Sequence, residues 1–256
     1  MDILLRDQSA TGVLTLTLHR PERKNAIDLA LAGELVAAFA HAEQTPSVRV
    51  VVLAGAGDGF CSGGDLVGGD DSRHVLGVMR QISQPAVALH RFSKPTIARV
   101  HGVAAGAGWN LALGCDLVVA ADDARFCQIF IRRGLSLDYG GSWLLPRLVG
   151  LQRAKQLALL GGFVSAAEAQ ALGLVNRVVP RGELDAAVAE WAEVLAAGPP
   201  IALAISKRML QESGALGFEG AIEIECSSQC VNLATQDTRE GFRAFFEKRK
   251  PRFEGR

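Results

Sequence analysis

The chain has 256 residues, of which 49% are apolar, and its mean hydropathy of +0.20 is that of a protein with ample material for a core. Lysine plus arginine and aspartate plus glutamate number 27 each, so no overall field favours nucleic acid or an anionic membrane. The charged start lacks the apolar stretch of a signal peptide, and the uncharged run 100–115 is too short to span a bilayer. We therefore expect a soluble, cytoplasmic protein without nucleic-acid or membrane partners.

The cysteines give no sign of a metal or redox site. They are scattered and lack the two-residue spacing of such sites: Cys61, Cys115, Cys127, Cys226 and Cys230. No His-Glu-x-x-His motif occurs in the sequence. We expect thiols that are buried or incidental, and no metal.

Strand and helix patterns alternate from the start of the chain. Residues 13–18 alternate apolar and polar side chains, which predicts a half-buried strand. A helix is predicted from about Asp28, because apolar residues then recur at helical spacing until Pro46. A strand over 48–53 follows, so the first unit contains two strands and one helix.

The alternation continues as far as residue 179. Ser165 and Glu168 have the spacing of a capping box at a helix start. The predicted elements are a helix interrupted at Pro85, a strand over 96–100, a short helix from about Ala107, a strand over 116–120, helices over 140–160 and a last strand over 174–179.

After Pro180 the patterns are almost wholly helical. Helices are predicted over 183–197, 201–212, 218–235 and 238–248, with a break at residues 198–200. Helices with apolar stripes but no core of their own pack on the main domain or on a neighbouring subunit. We therefore predict a core over 1–198 and a helical oligomerisation region over 199–256.

Two glycine-rich segments, 60–66 (FCSGGDL) and 101–108 (HGVAAGAG), each follow an apolar, β-branched run. They carry almost no reactive side chains, and without Cβ atoms their main-chain N–H groups can approach a ligand closely. Two such donors aimed at one oxygen form an oxyanion hole, which stabilises an enolate or a tetrahedral anion. The sequence therefore predicts an anion-stabilising site made of backbone.

The two glycine segments, the run 134–150 and the ending 244–249 together resemble the enoyl-CoA hydratase/isomerase, or crotonase, family over nearly the whole chain. Residues 101–116 and 134–150 are most similar to the ring-1,2-epoxyphenylacetyl-CoA isomerase branch. The resemblance implies an α/β fold, a crotonase-like spiral of strand-strand-helix units with a helical C-terminal region that builds trimers or dimers of trimers. It also implies an acyl-CoA substrate, with coenzyme A part of that substrate and no tightly bound cofactor.

The resemblance implies that the backbone N–H groups of Ser62 and Ala107 hold the thioester oxygen. Ala107 would begin a helix, whose dipole favours negative charge. Asp65 is predicted to end the turn and cap the following backbone, a structural role. Other residues of the two segments are expected to contact the substrate: Cys61, Gly63, Gly64, Asp65 and Gly106.

The positions that match the two glutamates of family hydratases hold Asn110 and Phe130. Neither can act as a carboxylate base, so simple hydration is not expected to be the main activity. Asn110 either orients substrate or water, or is an ordinary polar residue of a helix turn. Both residues are predicted to line the substrate site.

Asp138 is the remaining candidate acid or base. It lies where isomerase members of the family place an acidic catalytic residue, and where a related dehalogenase places its nucleophile. One carboxylate suffices for an isomerase, which takes a proton from one carbon and returns it two carbons away. An apolar lining of Phe130, Tyr139 and Trp143 would raise the pKa of Asp138 by desolvation.

For the CoA portion, the resemblance implies contacts from Lys24 and Ala26, and from Phe245 and Lys248 of a neighbouring subunit. Basic side chains can bind phosphates as point charges or forks.

Other site types fit the sequence less well. The glycines that follow residues 50–53 lack dinucleotide-binding spacing, and no Gly-x-Ser-x-Gly elbow occurs. His101 is predicted to be packed and hydrogen-bonded rather than catalytic. Two alternatives to isomerisation stay open: another acyl-CoA reaction on the same scaffold, namely weak hydration, hydrolysis or dehalogenation, or a non-catalytic paralogue that binds CoA thioesters.

Overall fold

A computed structural model of the chain describes residues 2–65 and 74–256. Up to the second glycine segment the elements are β1 (Leu4–Gln8), β2 (Val13–Leu18), α1 (Leu29–Gln44), β3 (Val50–Gly55), α2 (Val75–Ile82), α3 (Gln84–Arg91), β4 (Thr96–Val100), β5 (Val103–Ala105) and α4 (Ala107–Leu113). The remainder comprises β6 (Leu117–Ala121), β7 (Arg125–Cys127), α5 (Gly141–Leu160), β8 (Phe163–Ser165), α6 (Ala166–Ala171), β9 (Arg177–Val179), α7 (Leu184–Ala196), α8 (Pro200–Glu212), α9 (Phe218–Ala234) and α10 (Gln236–Phe246).

The larger sheet joins the strands with the strongest apolar patterns, in the order β1-β2-β3-β4-β6-β9. β1 is antiparallel to β2, and the other neighbours are parallel. β3 and β4 lie side by side, with Val51 opposite Thr96, so their carboxyl ends meet at one edge of the sheet. Both glycine segments follow from that edge, which is where open α/β sheets bind ligands.

A smaller sheet, in the order β5-β7-β8, lies beside that edge. Its strands have three residues each, too few to show a period of two, and the sequence analysis does not predict them. An isolated bridge pairs Cys61 with Ala104 of β5. The smaller sheet is therefore attached directly to the first glycine segment.

Both faces of the larger sheet are covered, so every residue of the central strand β3 is buried. Leu16 and Leu53 belong to the main core with residues of α1 and α4. On the other face, Val52 and Ile97 pack with Leu184 at the start of α7. This arrangement places the sheet between two helical layers, as in other α/β proteins.

Capping residues fix the helix starts predicted from the sequence. The Asp28 side chain accepts a hydrogen bond from the Leu31 backbone N–H at 2.8 Å, and the capping box of Ser165 and Glu168 is present. Pro85 lies in the first turn of α3, where its missing N–H costs no helical hydrogen bond. The predicted interruption is therefore the boundary between α2 and α3.

The bounds of some predicted strands differ in the structure, and the strand predicted over 48–53 lies at 50–55. The strand predicted over 116–120 begins one residue later because the Asp116 carboxylate accepts hydrogen bonds from the Thr96 N–H and hydroxyl, at 2.7 and 2.8 Å. The strand predicted over 174–179 is limited to β9, since the Leu174 N–H still belongs to the turn that ends α6.

The C-terminal helices expose most of their apolar surface. Within these fully described helices, α8 has no buried residue, α9 buries Ser228, and α10 buries Asp237 and Ala244. Large apolar side chains face outward: Leu210, Phe218, Leu233, Phe242, Phe245 and Phe246. The break between α7 and α8 coincides with the predicted boundary at residue 198, while the division into a core and an oligomerisation region stays a prediction.

Among the described residues, no single helix is long and apolar enough to cross a membrane. The segments 181–196 and 200–215 meet that criterion only together, and they are bent by 107° at the break between them.

Candidate active site

The two glycine segments are in direct contact. The Val103 carbonyl accepts hydrogen bonds from the Phe60 and Cys61 N–H groups at 3.1 Å, and the Ala105 N–H donates to the Cys61 carbonyl at 2.9 Å. A Cβ built on Gly108 would lie 2.7 Å from Cys61 Sγ, so glycine alone fits there. The first turn of α4 therefore packs directly on the first segment.

The structure contradicts the predicted role of Ser62. Its backbone N–H donates a hydrogen bond to the Lys24 carbonyl at 3.0 Å. A donor already used by a neighbouring loop cannot also point at a ligand oxygen. The prediction that Ser62 supplies one arm of an oxyanion hole is therefore wrong.

The Gly64 N–H is free to face a ligand. Its neighbours form a bridge to Ile27, with the Ile27 N–H bonded to the Gly63 carbonyl and the Asp65 N–H bonded to the Ile27 carbonyl, both at 2.8 Å. Gly63 has a left-handed φ of 109°. In the planar trans peptide that follows, the Gly64 N–H points opposite to the Gly63 carbonyl and therefore away from Ile27. Within residues 2–65 and 74–256, the Gly64 N–H has no hydrogen-bond acceptor.

The peptide between Gly63 and Gly64 lies near the start of α4. A Cβ built on Gly63 would be 3.7 Å from the Ala107 nitrogen. Ala107 is the first residue of α4. At this end of a helix the backbone N–H groups have no partner inside the helix, and the helix dipole has its positive end. The Gly63–Gly64 turn and the first residue of α4 are therefore neighbours. Leu66 of the first glycine segment lies outside the described residues.

Asp138 lies in the loop between Arg133 and α5, partly buried. Desolvation raises the pKa of its carboxyl from 3.8 to about 6. Its Oδ1 atom is buried and has no hydrogen-bond partner in the described chain. A buried, unpartnered carboxyl oxygen with a raised pKa is typical of a general base.

Two of the three apolar residues predicted to line Asp138 are buried. Phe130 is buried against Gly106, with its ring 3.4 Å from where a Cβ of that glycine would be. Tyr139 is also buried, but Trp143 is 38% exposed and packs on Arg147 and His90. Desolvation of Asp138 is therefore confirmed as the cause of its raised pKa, while Trp143 is not part of a closed lining.

Asn110 holds the Asp138 loop in place. Its Nδ2 donates to the Asp138 carbonyl at 2.8 Å, and its Oδ1 accepts from Gln128 Nε2 at 2.8 Å. Asn110 and Gln128 are both fully buried. Asn110 therefore has a structural role toward the Asp138 loop that neither sequence interpretation named. A substrate contact from its second N–H stays a prediction.

Lys24 and Ala26 lie in a loop that is fastened to the first glycine segment. Lys24 is exposed with a left-handed φ of 51°, and Ala26 is buried. Asn25, between them, is fully buried and donates to the carbonyls of three residues in the loop after β3: Ala56, Gly59 and Phe60. This arrangement leaves the Lys24 side chain in solvent, beside the segment that holds Gly64.

Asp65 has a structural partner in the same loop. Its carboxylate accepts from the Arg20 guanidinium at 3.0 Å, in an ion pair that is largely buried, and Arg20 also pairs with Asp28 at 3.1 Å. This agrees with the structural role expected of Asp65, although the backbone that it would cap lies outside the described residues. The ion pair ties the first glycine segment to the start of α1.

Phe245 and Lys248 are not brought to the glycine segments within the described chain. Phe245 is 77% exposed at the end of α10, which packs on α9, and Lys248 is exposed beyond it. A role for them at the site therefore requires the neighbouring subunit that the sequence analysis invokes.

The histidine and cysteine side chains singled out in the sequence lie in surroundings that give no sign of a catalytic or metal-binding role. His101 is buried, with Nε2 bonded to the Gly57 carbonyl at 2.9 Å and Nδ1 facing Arg99, which confirms the packed role. The described part of the chain contains no cluster of three His, Cys, Asp or Glu side chains that could hold a metal. Three thiols are buried, those of Cys61, Cys115 and Cys127. The other two, those of Cys226 and Cys230 on α9, are exposed.

A family model described as Enoyl-CoA hydratase/isomerase matches residues 8–256. The chain belongs to the enoyl-CoA hydratase/isomerase family. The 1,2-epoxyphenylacetyl-CoA isomerase of Escherichia coli is 38% identical to this family member over 255 residues, 96% of each chain. The 2,3-dehydroadipyl-CoA hydratase of the same species is 36% identical over 246 residues, 95% of this chain and 96% of that protein.

A crystal structure of an enoyl-CoA hydratase from Bacillus anthracis covers 100% of both chains with a TM-score of 0.95 and 32% identity. The predicted family and the crotonase-like α/β spiral are thereby confirmed. The relatives of this family member are named both hydratase and isomerase, so family membership leaves the reaction to be argued from the site.

Proposed function

We propose that this family member is an acyl-CoA enzyme that shifts a double bond by proton transfer through Asp138. The backbone N–H groups of Gly64 and Ala107 hold the thioester oxygen. The proposal is supported by the contact between the two glycine segments and by the dipole at the start of α4.

In the proposed reaction the ionised Asp138 carboxylate removes a proton from the carbon next to the thioester carbonyl. The electron pair of the broken C–H bond passes into a dienolate, whose negative charge lies largely on the thioester oxygen between the two N–H groups. The protonated carboxyl then returns the proton two carbons further along, and the double bond moves by one position. No atom is gained or lost, so the reaction needs no water and no redox cofactor.

The observation that carries this proposal is the state of the carboxylates near the glycine segments. Asp65 is paired with Arg20, whereas Asp138 has a buried, unpartnered oxygen and a pKa raised to about 6. Asn110 and Phe130 occupy the positions of the hydratase glutamates and carry no carboxylate. A single available carboxylate among the described residues near the glycine segments fits proton return better than activation of water.

The test is the position of the double bond in the product. The wild-type protein is incubated with 3-enoyl-CoA, 2-enoyl-CoA and aromatic acyl-CoA substrates, and the products are identified by NMR. We expect conversion of 3-enoyl-CoA to 2-enoyl-CoA, with no water incorporated into the product. Hydration, hydrolysis or halide release as the main reaction would favour another reaction on this scaffold, and ligand binding without turnover would favour the non-catalytic alternative.

For the CoA portion we propose contacts from Lys24 and Ala26, and from Phe245 and Lys248 of a neighbouring subunit. The exposed apolar faces of α8, α9 and α10 support a homotrimer or a dimer of trimers, because so much apolar surface is unusual on a monomer. Light scattering during gel filtration should then give three or six times the chain mass of 27.1 kDa. A single-chain mass at micromolar concentration would contradict this.

A further inference from the structure

We propose that the Tyr139 hydroxyl is a second polar group of the acyl site and donates a hydrogen bond to an oxygen atom on the acyl chain of the substrate. This inference rests on the proposed function, because it assigns a substrate class to the same site. That class is acyl-CoA thioesters that carry an oxygen on the acyl chain.

The Tyr139 hydroxyl is buried without a partner. The residue is 3% exposed, and its hydroxyl has no hydrogen-bond acceptor or donor within the described chain. Asp138 Oδ1 is also buried and unpartnered, so the two neighbouring side chains do not satisfy each other. A buried hydroxyl in this condition is unfavourable, and a ligand oxygen would relieve it.

The backbone of Tyr139 is held in a conformation that aromatic residues rarely adopt. Its φ is 49°, in the left-handed region, where a non-glycine residue is strained. The preceding carbonyl, that of Asp138, accepts the hydrogen bond from Asn110, which is itself held by Gln128. These buried amides fix the peptide plane on which the φ rotation of Tyr139 depends, so the strain is imposed from outside the loop.

The surroundings place the hydroxyl beside the proposed oxyanion hole and keep it protonated. Burial raises the pKa of the phenol, and so does proximity to Cys61 and Asp138. Cys61 packs on Gly108 in the first turn of α4, next to Ala107. A neutral phenol near Asp138 and Cys61 has a proton to donate to an oxygen of a ligand bound at this site.

The chain contains one tyrosine, so a single labelled residue reports on this site. In the wild type and in the control below, Tyr139 carries ¹³C at the ring carbon that is bonded to oxygen. These proteins and Tyr139→Phe, which has no tyrosine, are titrated with butyryl-CoA, 3-hydroxybutyryl-CoA and 4-hydroxybutyryl-CoA. These ligands have no double bond to shift. Trp191→Phe on α7 serves as the aromatic control, since it lies with the core on the other face of the sheet.

In the wild type and in the control, we expect at least one hydroxylated thioester to bind about tenfold tighter than butyryl-CoA, the effect of one net hydrogen bond. That ligand alone should shift the tyrosine resonance, and the preference should disappear in Tyr139→Phe. Absence of a preference in the wild type, or its persistence in Tyr139→Phe, would overturn the proposal.

Thermal unfolding gives a second readout that does not depend on turnover. Removal of an unpartnered buried hydroxyl should leave the Tm of Tyr139→Phe equal to that of the wild type or higher. A lower Tm would show that the hydroxyl has a partner in the free protein and would contradict the proposal. If the hydroxylated ligand is preferred but no isomerase activity is found, the proposed reaction fails and this inference stands; isomerase activity without the preference rejects this inference alone.

Discussion

Asp138→Asn is expected to lower kcat for 3-enoyl-CoA about 10³-fold while leaving the Kd for a non-reactive acyl-CoA within about threefold. The size of the loss is that of a general base removed from a proton transfer. Affinity is retained because the amide has nearly the same shape and the N–H donors of Gly64 and Ala107 are untouched. Stopped assays and isothermal titration calorimetry give the two numbers.

The pH dependence follows from the same carboxyl. Its pKa is raised to about 6, and the ionised form is the base, so kcat/KM of the wild type should rise with pH and level off above about 6. A burial-raised pKa means that the folded state binds this proton more tightly than the unfolded state does. The contribution of Asp138 to the free energy of unfolding is therefore lost as pH rises from 3.8 to about 6.

Asp138→Asn should accordingly be more stable than the wild type above pH 6, by about 1 kcal/mol after allowance for partial exposure. Denaturant unfolding at pH 8 measures this difference. The matched control is Asp58→Asn, an exposed aspartate in the loop after β3, which should change neither turnover nor stability. Full isomerase activity in Asp138→Asn would refute the acid/base role.

Ala107→Pro is expected to lower kcat/KM by about 10²- to 10³-fold, the cost of losing one oxyanion-hole donor. Proline lacks the N–H, yet it is well tolerated at the first position of a helix, so α4 should still form. Ala107→Gly keeps the N–H and should retain activity within about threefold. Circular dichroism and the Tm of both variants check that the fold is intact.

A second matched pair tests the other donor. Gly64→Pro removes the N–H, whereas Gly64→Ala keeps it and adds a Cβ that meets no described atom within 4 Å. The proline variant should lose activity to a similar degree as Ala107→Pro, and the alanine variant should lose little. Equal activity in Gly64→Pro and Gly64→Ala would exclude Gly64 as a donor, and full activity in Ala107→Pro would exclude Ala107.

The general location of the site can be predicted from sequence because its signals are local. Each glycine segment directly follows a strand, and parallel neighbours place both segments at one edge of the sheet. The burial of Asp138 also follows from neighbours that are close in the chain, such as Tyr139. These features depend on short-range patterns that a single sequence displays.

The choice of N–H donor could not be predicted in the same way. Whether Ser62 or Gly64 faces a ligand depends on the turn at Gly63 and on pairing with Lys24 and Ile27, more than thirty residues earlier. A shift of one residue in such pairing reverses which groups point outward. The resemblance points to the segment, and the structure moves the proposed donor within it from Ser62 to Gly64.

The support behind Asp138 was missed for a similar reason. Asn110 and Gln128 are 18 positions apart on different elements, and no spacing rule links them. Gln128 and Asn25 carry no sequence signal that would predict these hydrogen bonds. Tyr139 was considered for its ring, while its strained backbone and unpartnered hydroxyl are visible only once the fold is known.

The central claim, that the amides of Gly64 and Ala107 hold one thioester oxygen, is tested most directly by a crystal structure with a non-reactive acyl-CoA bound. The account predicts that this oxygen lies about 2.7–3.1 Å from both backbone nitrogens, with the acyl carbons beside Asp138. A thioester oxygen bonded elsewhere, or to only one of these two nitrogens, would contradict it.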